Sequence, residues 1–257
     1  FPEGSTIKTR LAPVIAMRAL LRLAEVRVEH TPYRILNKNE KTVAWLILEK
    51  MAPTSKNEAS ALPLLHVSVK AVRGYADFEA VAAQLQAIDC TPTNKDTYFL
   101  AMELVRRQPG DYSSKLNIQL DPAMRADEAA KILLRSILEV MKRNQAYIKE
   151  DVDTEFLHDF RVAVRRTRSA LSQIINVFPE ETVARYKQGF SFVSQISNDL
   201  RDLDVYLLAE TSYRAMLPDI LRDDIAPLFD YLRKQREKAL KQVVDGLNSS
   251  QYAIIIA

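Results

Sequence analysis

The segment from His158 to Arg168 constrains the fold most, because its cationic and its apolar side chains recur at two separate helical spacings. Four cationic side chains fall within an arc of about 80°, since successive helical residues turn by about 100°. They are His158, Arg161, Arg165 and Arg168. A second stripe suited to burial consists of Phe160, Val164, Thr167, Leu171 and Ile174. The pattern predicts one helix with a core face and a cationic face. No carboxylate shares the cationic stripe, so these groups are set up to meet an external anion rather than partners on their own helix.

Composition predicts a globular chain dominated by helix. The 257 residues can hold two modest domains with a core each, and only five glycines disfavour a fold made of many tight turns. The net charge of +3 is too small to predict a polyanion partner by itself, and residues 118–257 carry nearly equal numbers of acidic and basic side chains. Anion binding therefore depends on the segregation of charge to one helix face.

Several classes of protein are excluded or disfavoured. The single cysteine, Cys90, excludes an intrachain disulfide and a multi-cysteine metal site, and it favours a reducing cytoplasm. No apolar run approaches the roughly 20 residues that span a bilayer. His30, His66 and His158 have no ligand spacing, and no nucleophile–base pair or phosphate-binding glycine loop is visible. We therefore expect no catalysis, no metal and no cofactor. Both ends look cut, so we expect a piece of a longer chain.

The first part of the chain mixes helical and alternating periods. We predict a helix over Val14–Ala24, a hairpin whose strands flank the turn Asn37–Lys41, and a third strand over Leu64–Val72. Two further helices are predicted over Asp77–Ala87, with Asp77 as N-cap, and over Lys95–Arg107. Residues 109–122 are rich in turn-forming side chains and predict a linker. The predicted domains are residues 1–112 and 118–257.

The second part predicts four helices in succession. They cover Pro122–Lys149, residues 154–177, Glu181–Tyr213 and Asp219–Leu247. Short connections favour antiparallel neighbours. The expected fold class is α+β, with a small β-containing N-terminal region followed by an all-α antiparallel four-helix bundle.

Two motifs in the second part resemble a known family. The segment His158–Arg168 and the later Leu200-Arg201-Asp202-Leu203-Asp204-Val205 are similar to the first half of a CHAD domain, over roughly residues 118–257. That family is helical and is associated with binding inorganic polyphosphate. The resemblance implies recruitment to polyphosphate, for example at cytoplasmic polyphosphate granules, or regulation of its metabolism. A CHAD domain has two such halves and only one is visible here, so a homodimer that completes the site stays open.

The resemblance and the charge pattern together give a set of expected anion contacts. They are His158, Arg161, Arg165, Arg166, Arg168, Lys187, Arg201, Lys234, Lys238 and Lys241. Arginine suits this role because its planar fork can span two phosphoryl oxygens, and a protonated histidine can donate from either ring nitrogen. Asp202 and Asp204 would repel phosphate, so we expect them to orient neighbouring cations or to form structural ion pairs.

The front region resembles the later half of a CYTH domain more loosely, through Glu25–His30, Tyr33–Leu36 and Lys41–Glu49. CYTH folds are used elsewhere for triphosphate hydrolysis. The family's opening Glu-x-Glu-x-Lys motif is absent, and His66 begins a segment where paired glutamates would be expected, so the carboxylates for divalent ions are not found. Triphosphate hydrolysis, with the helices as substrate collector, remains the first alternative. Nucleic-acid binding and a helical scaffold are further ones, although the near-neutral bundle and the lack of an aromatic stacking platform disfavour nucleic acid.

Overall fold

A computed structural model describes residues 4–54, 63–72, 78–88, 90–110 and 114–257. It confirms the α+β class, because a three-stranded antiparallel sheet precedes a helical region. The chain divides into two compact units. The sheet unit is Leu21–Tyr112, and the helical unit combines Phe1–Leu20 with Ser113–Ala257.

The helices and strands follow one another in this order. They are α1 (Thr6–Ile15), β1 (Val26–Leu36), β2 (Thr42–Pro53), β3 (Leu64–Ala71), α2 (Phe78–Ala87), α3 (Thr97–Leu104), α4 (Ala126–Lys149), α5 (Thr154–Gln173), α6 (Glu180–Ile196), α7 (Asn198–Leu208), α8 (Glu210–Met216), a 3₁₀ turn (Asp219–Leu221), α9 (Ala226–Leu247) and α10 (Ser250–Ile256).

The predicted hairpin and third strand form the sheet, whose order is β1-β2-β3 with antiparallel pairing throughout. The turn between β1 and β2 depends on Asn37, whose Oδ1 accepts the N–H groups of Asn39 at 2.9 Å and Lys41 at 3.1 Å. Glu40 adopts a left-handed φ of 58°, which closes the turn. In the central strand, Val43, Ala44 and Met51 are buried, so β2 supplies part of the core of this unit together with Leu100 and Met102 of α3.

The two predicted helices of the sheet unit are present with different ends. Helix α2 begins at Phe78, and the predicted N-cap Asp77 lies outside the described residues. Helix α3 is shorter than the predicted span because Asp96 caps its start, accepting the N–H of Phe99 at 3.0 Å. The helix ends at Leu104, and Arg106, two residues later, has a left-handed φ of 55°.

The helix predicted over Val14–Ala24 is wrong. Helix α1 ends at Ile15, and Ala16 takes a left-handed φ of 50° that stops it. The chain then lies against the start of α5, where the Ala19 N–H donates to Asp153 Oδ2 at 2.7 Å and Arg18 pairs with Asp159 at 3.6 Å. These tertiary contacts override the apolar periodicity of the segment.

The helical unit is built from α4, α5, α6 with α7, and α9. Helix α5 packs between α4 and α6, while α9 packs mainly on α7. The predicted buried stripe of α5 is confirmed, since Phe160, Val164, Thr167 and Leu171 are buried and Ile174 is half-buried.

The predicted third helix is three helices. It breaks at Ser197, whose Oγ lies 3.2 Å from the Val193 carbonyl and 3.0 Å from that of Ser194, and such back-bonding bends helices. A second break lies at Ala209. Helix α9 begins later than predicted because a proline stands in its first turn, where proline favours helix initiation. Helix α10 was not predicted.

Candidate anion-binding site

Helix α5 positions the cationic stripe that the sequence predicts. Its N-cap is Asp153, which accepts the N–H groups of Glu155 at 2.9 Å and Phe156 at 3.3 Å. With the apolar stripe buried in the bundle, Arg165 and Arg168 are exposed. His158 and Arg161 are half-buried. The helix therefore presents its cations beside, rather than opposite, its packed face.

Arg161 is held by the junction of α6 and α7. Its Nη1 donates to Asn198 Oδ1 at 2.7 Å, to Ser197 Oγ at 3.0 Å and to the Ser194 carbonyl oxygen at 3.3 Å. All three acceptors are uncharged. The break at Ser197 thus provides the polar groups that fix the guanidinium.

Three arginines form what we call the cationic cluster: Arg161, Arg165 and Arg201. Burial is the main cause that lowers the pKa of the Arg161 guanidinium, and the negative charge of Asp202 opposes it. The positive charges of Arg201 and Arg165 lower that pKa further, although arginine stays charged at neutral pH. In the described part of the chain, neither Arg165 nor Arg201 forms a salt bridge, and the buried Nη1 of Arg201 has no partner. Among the described residues, Asp202 and Asp204 act on Arg161 and Arg201 through their charge, but none of the three arginines of the cluster forms a salt bridge.

Lys187 on α6 lies level with the end of this stripe. The early part of α5 meets the end of α6 through Arg161 and Ser194, whereas Leu171 lines a cavity with Tyr186, so the two helices are antiparallel. Arg168 follows Arg161 by two turns, and Lys187 precedes Ser194 by two turns, which is about 10 Å in each case. The exposed Lys187 therefore extends the cationic surface where α5 packs on α6.

Arg166 lies beside the cationic stripe, on the side of α5 that contacts Ser114. Its Nη1 donates to the Ser114 carbonyl oxygen at 3.1 Å, beside an open cavity of about 430 Å³. Arg165 and Arg166 line this cavity together with Leu116 and the α4 residues Leu133 and Ile137. The hydrogen bond from Arg166 thus holds the chain at Ser114 against α5.

The two predicted orienting aspartates have different surroundings. Asp202 is exposed and acts on Arg161 through its charge. Asp204 is buried, and its Oδ1 accepts from Arg236 Nε at 2.7 Å. The terminal nitrogens of Arg236 bind the two oxygens of Asp151 at 2.7 Å and 2.6 Å. Asp204 therefore belongs to an ion-pair network that joins α7, α9 and the loop after α4.

That network shifts the titration of its members. Burial raises the pKa of the Asp204 carboxyl, and the hydrogen bond from Arg236 opposes the shift. Hydrogen bonds to Asp151 and then to Asp204 raise the pKa of Arg236 above its ordinary value, so this guanidinium is locked in its charged form.

The lysines of α9 lie apart from the α5 stripe. Lys234, Lys238 and Lys241 are exposed, whereas Ala239 and Val243 on the opposite side of the same helix are buried. Helix α9 packs on α7, α4 and α6 through that buried side. The three lysines consequently face away from the bundle.

The side chain of His158 makes no hydrogen bond to Asp202, to Asp204 or to any other described residue.

Three residues that matter here were not predicted. Ser197 and Asn198 carry no periodic signal, because their role depends on how α5 meets the end of α6. Arg236 could have been predicted, because it lies at helical spacing from the apolar residues Phe229 and Ala239. A cation on such a buried stripe requires an acidic partner.

In the sheet unit, strand pairing places two histidines that are distant in sequence on either side of one glutamate. His30 and His66 flank Glu49 across the three strands, with their Nδ1 atoms 3.2 Å and 2.7 Å from its two carboxylate oxygens.

Among the described residues, no group of three or more His, Cys, Asp or Glu side chains could hold a metal ion. The same residues contain no helix of the length and apolarity that crossing a bilayer requires.

Comparison with known proteins assigns the helical region. A search of curated proteins finds no match to this chain. The CHAD domain family model matches residues 132–256, which run from α4 through α10 and include the cationic cluster. The comparison gives no support to the CYTH resemblance of the front region, which stays a prediction. The helical unit of this chain therefore contains a CHAD domain.

Proposed function

We propose that the helical unit binds inorganic polyphosphate along the surface where α5 meets α6 and α7. The observation that carries the proposal is the cationic cluster, in which Arg165 and Arg201 act on Arg161 electrostatically and neither forms a salt bridge in the described residues. Adjacent positive charges that the fold leaves unpaired favour an anionic ligand. The CHAD match supports polyphosphate as that ligand, because the family is associated with this polymer.

This surface suits a linear polyanion. Arg161, Arg165 and Arg168 follow one another along α5, and Lys187 adds a cation from α6. A polymer with one charge per repeat can contact several of these groups in turn, and arginine can bind its oxygens in bidentate geometry. Its role would be to recruit the chain to polyphosphate or to regulate its metabolism. The proposal includes no catalytic step.

The test is a titration of the whole chain with long-chain polyphosphate at several salt concentrations. Arg161→Gln/Arg165→Gln should lose most of the affinity, because it removes two cations of the cluster. The matched control, Arg222→Gln/Arg233→Gln, removes the same charge from arginines already paired with Asp219 and Asp230 and should bind normally.

Single-stranded RNA of equal charge separates polyphosphate recognition from general attraction. We expect polyphosphate to bind more tightly than RNA at every salt concentration. Equal affinity for the two polymers, or equal losses in the two double variants, would contradict the proposal. Release of phosphate in the presence of Mg²⁺ would favour the triphosphate hydrolase alternative.

A further inference from the structure

The hydrogen bonds of Arg161 are concentrated on one nitrogen. In the described part of the chain, Nη1 makes all three contacts, and Nε and Nη2 make none. The guanidinium is planar, so fixing Nη1 leaves the Nε–Nη2 edge as the side that can accept a ligand. This is the edge with which arginine binds two oxygens of a phosphate.

The chemistry of the anchors distinguishes Arg161 from Arg236. Arg161 is held by an amide, a hydroxyl and a backbone carbonyl, which are neutral acceptors. Arg236 is held by the carboxylates of Asp151 and Asp204, which neutralise it. Neutral acceptors fix the side chain while its charge remains available to a ligand.

We propose that Asn198 is a positioning residue that orders Arg161 for anion binding. Asn198 makes the shortest of the three contacts and is half-buried on the first turn of α7. Ser197 also contacts Arg161, but its hydroxyl is fully buried and forms part of the break between α6 and α7. Asn198 is therefore the anchor that can be changed with least effect on the fold. This inference rests on the proposed function.

Two variants separate orientation from charge. Asn198→Ala removes the anchor and should weaken polyphosphate binding about two- to tenfold, the range expected when one long side chain must be ordered during binding. The slope of log affinity against log salt should stay unchanged, since the number of cations is the same. Asn198→Asp keeps an acceptor in place but adds a negative charge beside Arg161, so it should weaken binding without lowering the melting temperature.

A double-mutant cycle then tests whether Asn198 acts through Arg161. In the Arg161→Gln background, Asn198→Ala should cause no further loss of affinity, because the group that it orders is gone. An equal loss in both backgrounds, or normal binding by Asn198→Ala in the otherwise unchanged chain, would overturn the inference and leave polyphosphate binding intact. If the unchanged chain fails to bind polyphosphate, the proposed function itself is wrong. Asn198→Asp, which retains an acceptor, supplies a folded variant if Asn198→Ala melts early.

Discussion

Arg236 and Asp204 form a buried ion pair in which Nε lies 2.7 Å from Oδ1, and the Asp204 side chain is only 1% exposed. The pair sits between α7 and α9, and the remaining nitrogens of Arg236 reach Asp151 in the loop after α4. One guanidinium therefore connects three separate parts of the helical unit.

Removing this guanidinium should destabilise the fold strongly. Arg236→Met leaves the Asp204 carboxylate buried without its salt-bridge partner, and breaking a buried pair in this way costs about 3 kcal/mol or more of unfolding free energy. Arg222→Met is the matched control, since its partner Asp219 is exposed and surface pairs contribute at most about 1 kcal/mol. Urea unfolding measures both. Similar losses in the two variants would contradict a structural role for Arg236.

Asp127 should make stability depend on pH in the acid range. Hydrogen bonds from Arg125 and then Lys131 lower the pKa of Asp127 from 3.8 to about 2. Because the folded pKa is depressed, the stabilisation is present above about pH 4 and is lost as pH falls toward 2. The stability difference between the unchanged chain and Asp127→Asn should shrink over that window. In NMR titrations, Arg125→Gln should raise the Asp127 midpoint; an unmoved midpoint would exclude Arg125 as the cause.

His158 should contribute to polyphosphate binding as a hydrogen-bond donor. Its ring is half-buried on the cationic stripe, and its side chain makes no hydrogen bond in the described residues, so a ring N–H is available to a ligand. His158→Ala should weaken binding about two- to tenfold at constant pH and salt, the effect of one lost hydrogen bond. Normal binding by His158→Ala would remove this histidine from the site.

The salt dependence should identify which cations contact the polymer. By analogy with single-stranded nucleic acid, about five phosphate contacts give a log–log slope near −3.5, at roughly −0.7 per contact. Arg161→Gln/Arg165→Gln should reduce the magnitude of the slope by about 1.4.

The α9 lysines provide the comparison in the same experiment. Lys234→Gln/Lys238→Gln/Lys241→Gln removes three charges from the face of α9 that points away from the bundle. We expect this triple variant to change the slope less than the α5 double variant. A larger change of slope in the triple variant would indicate that the polymer binds to α9 rather than to α5.

The sequence predicted those features that depend on local periodicity. The cationic and buried stripes of α5 follow from residue spacing along one helix, and the hairpin follows from alternation around Asn37. Features that depend on contacts distant in sequence could not be predicted. Asn198 anchors Arg161 from another helix, and the Ser197 hydroxyl interrupts an apolar pattern that otherwise reads as continuous.

The segment after α1 illustrates the same limit. Its apolar spacing predicted a helix over Val14–Ala24, but Arg18 and Ala19 lie against the start of α5 outside any helix. Ion pairs and a cap contact to Asp153 decide its conformation, and these partners stand far along the chain. Propensity is a weak guide where tertiary contacts compete with it.

The contact between Ala19 and Asp153 spans 134 residues, and the whole sheet unit lies between them in the chain. During synthesis, residues up to Leu20 leave the ribosome long before α5 is made. They cannot contact Asp153 until the whole sheet unit has been synthesised. The helical unit can close only after α5 emerges. Its assembly is therefore a late, non-local event, and the loop that must be closed carries an independently compact unit rather than a flexible coil.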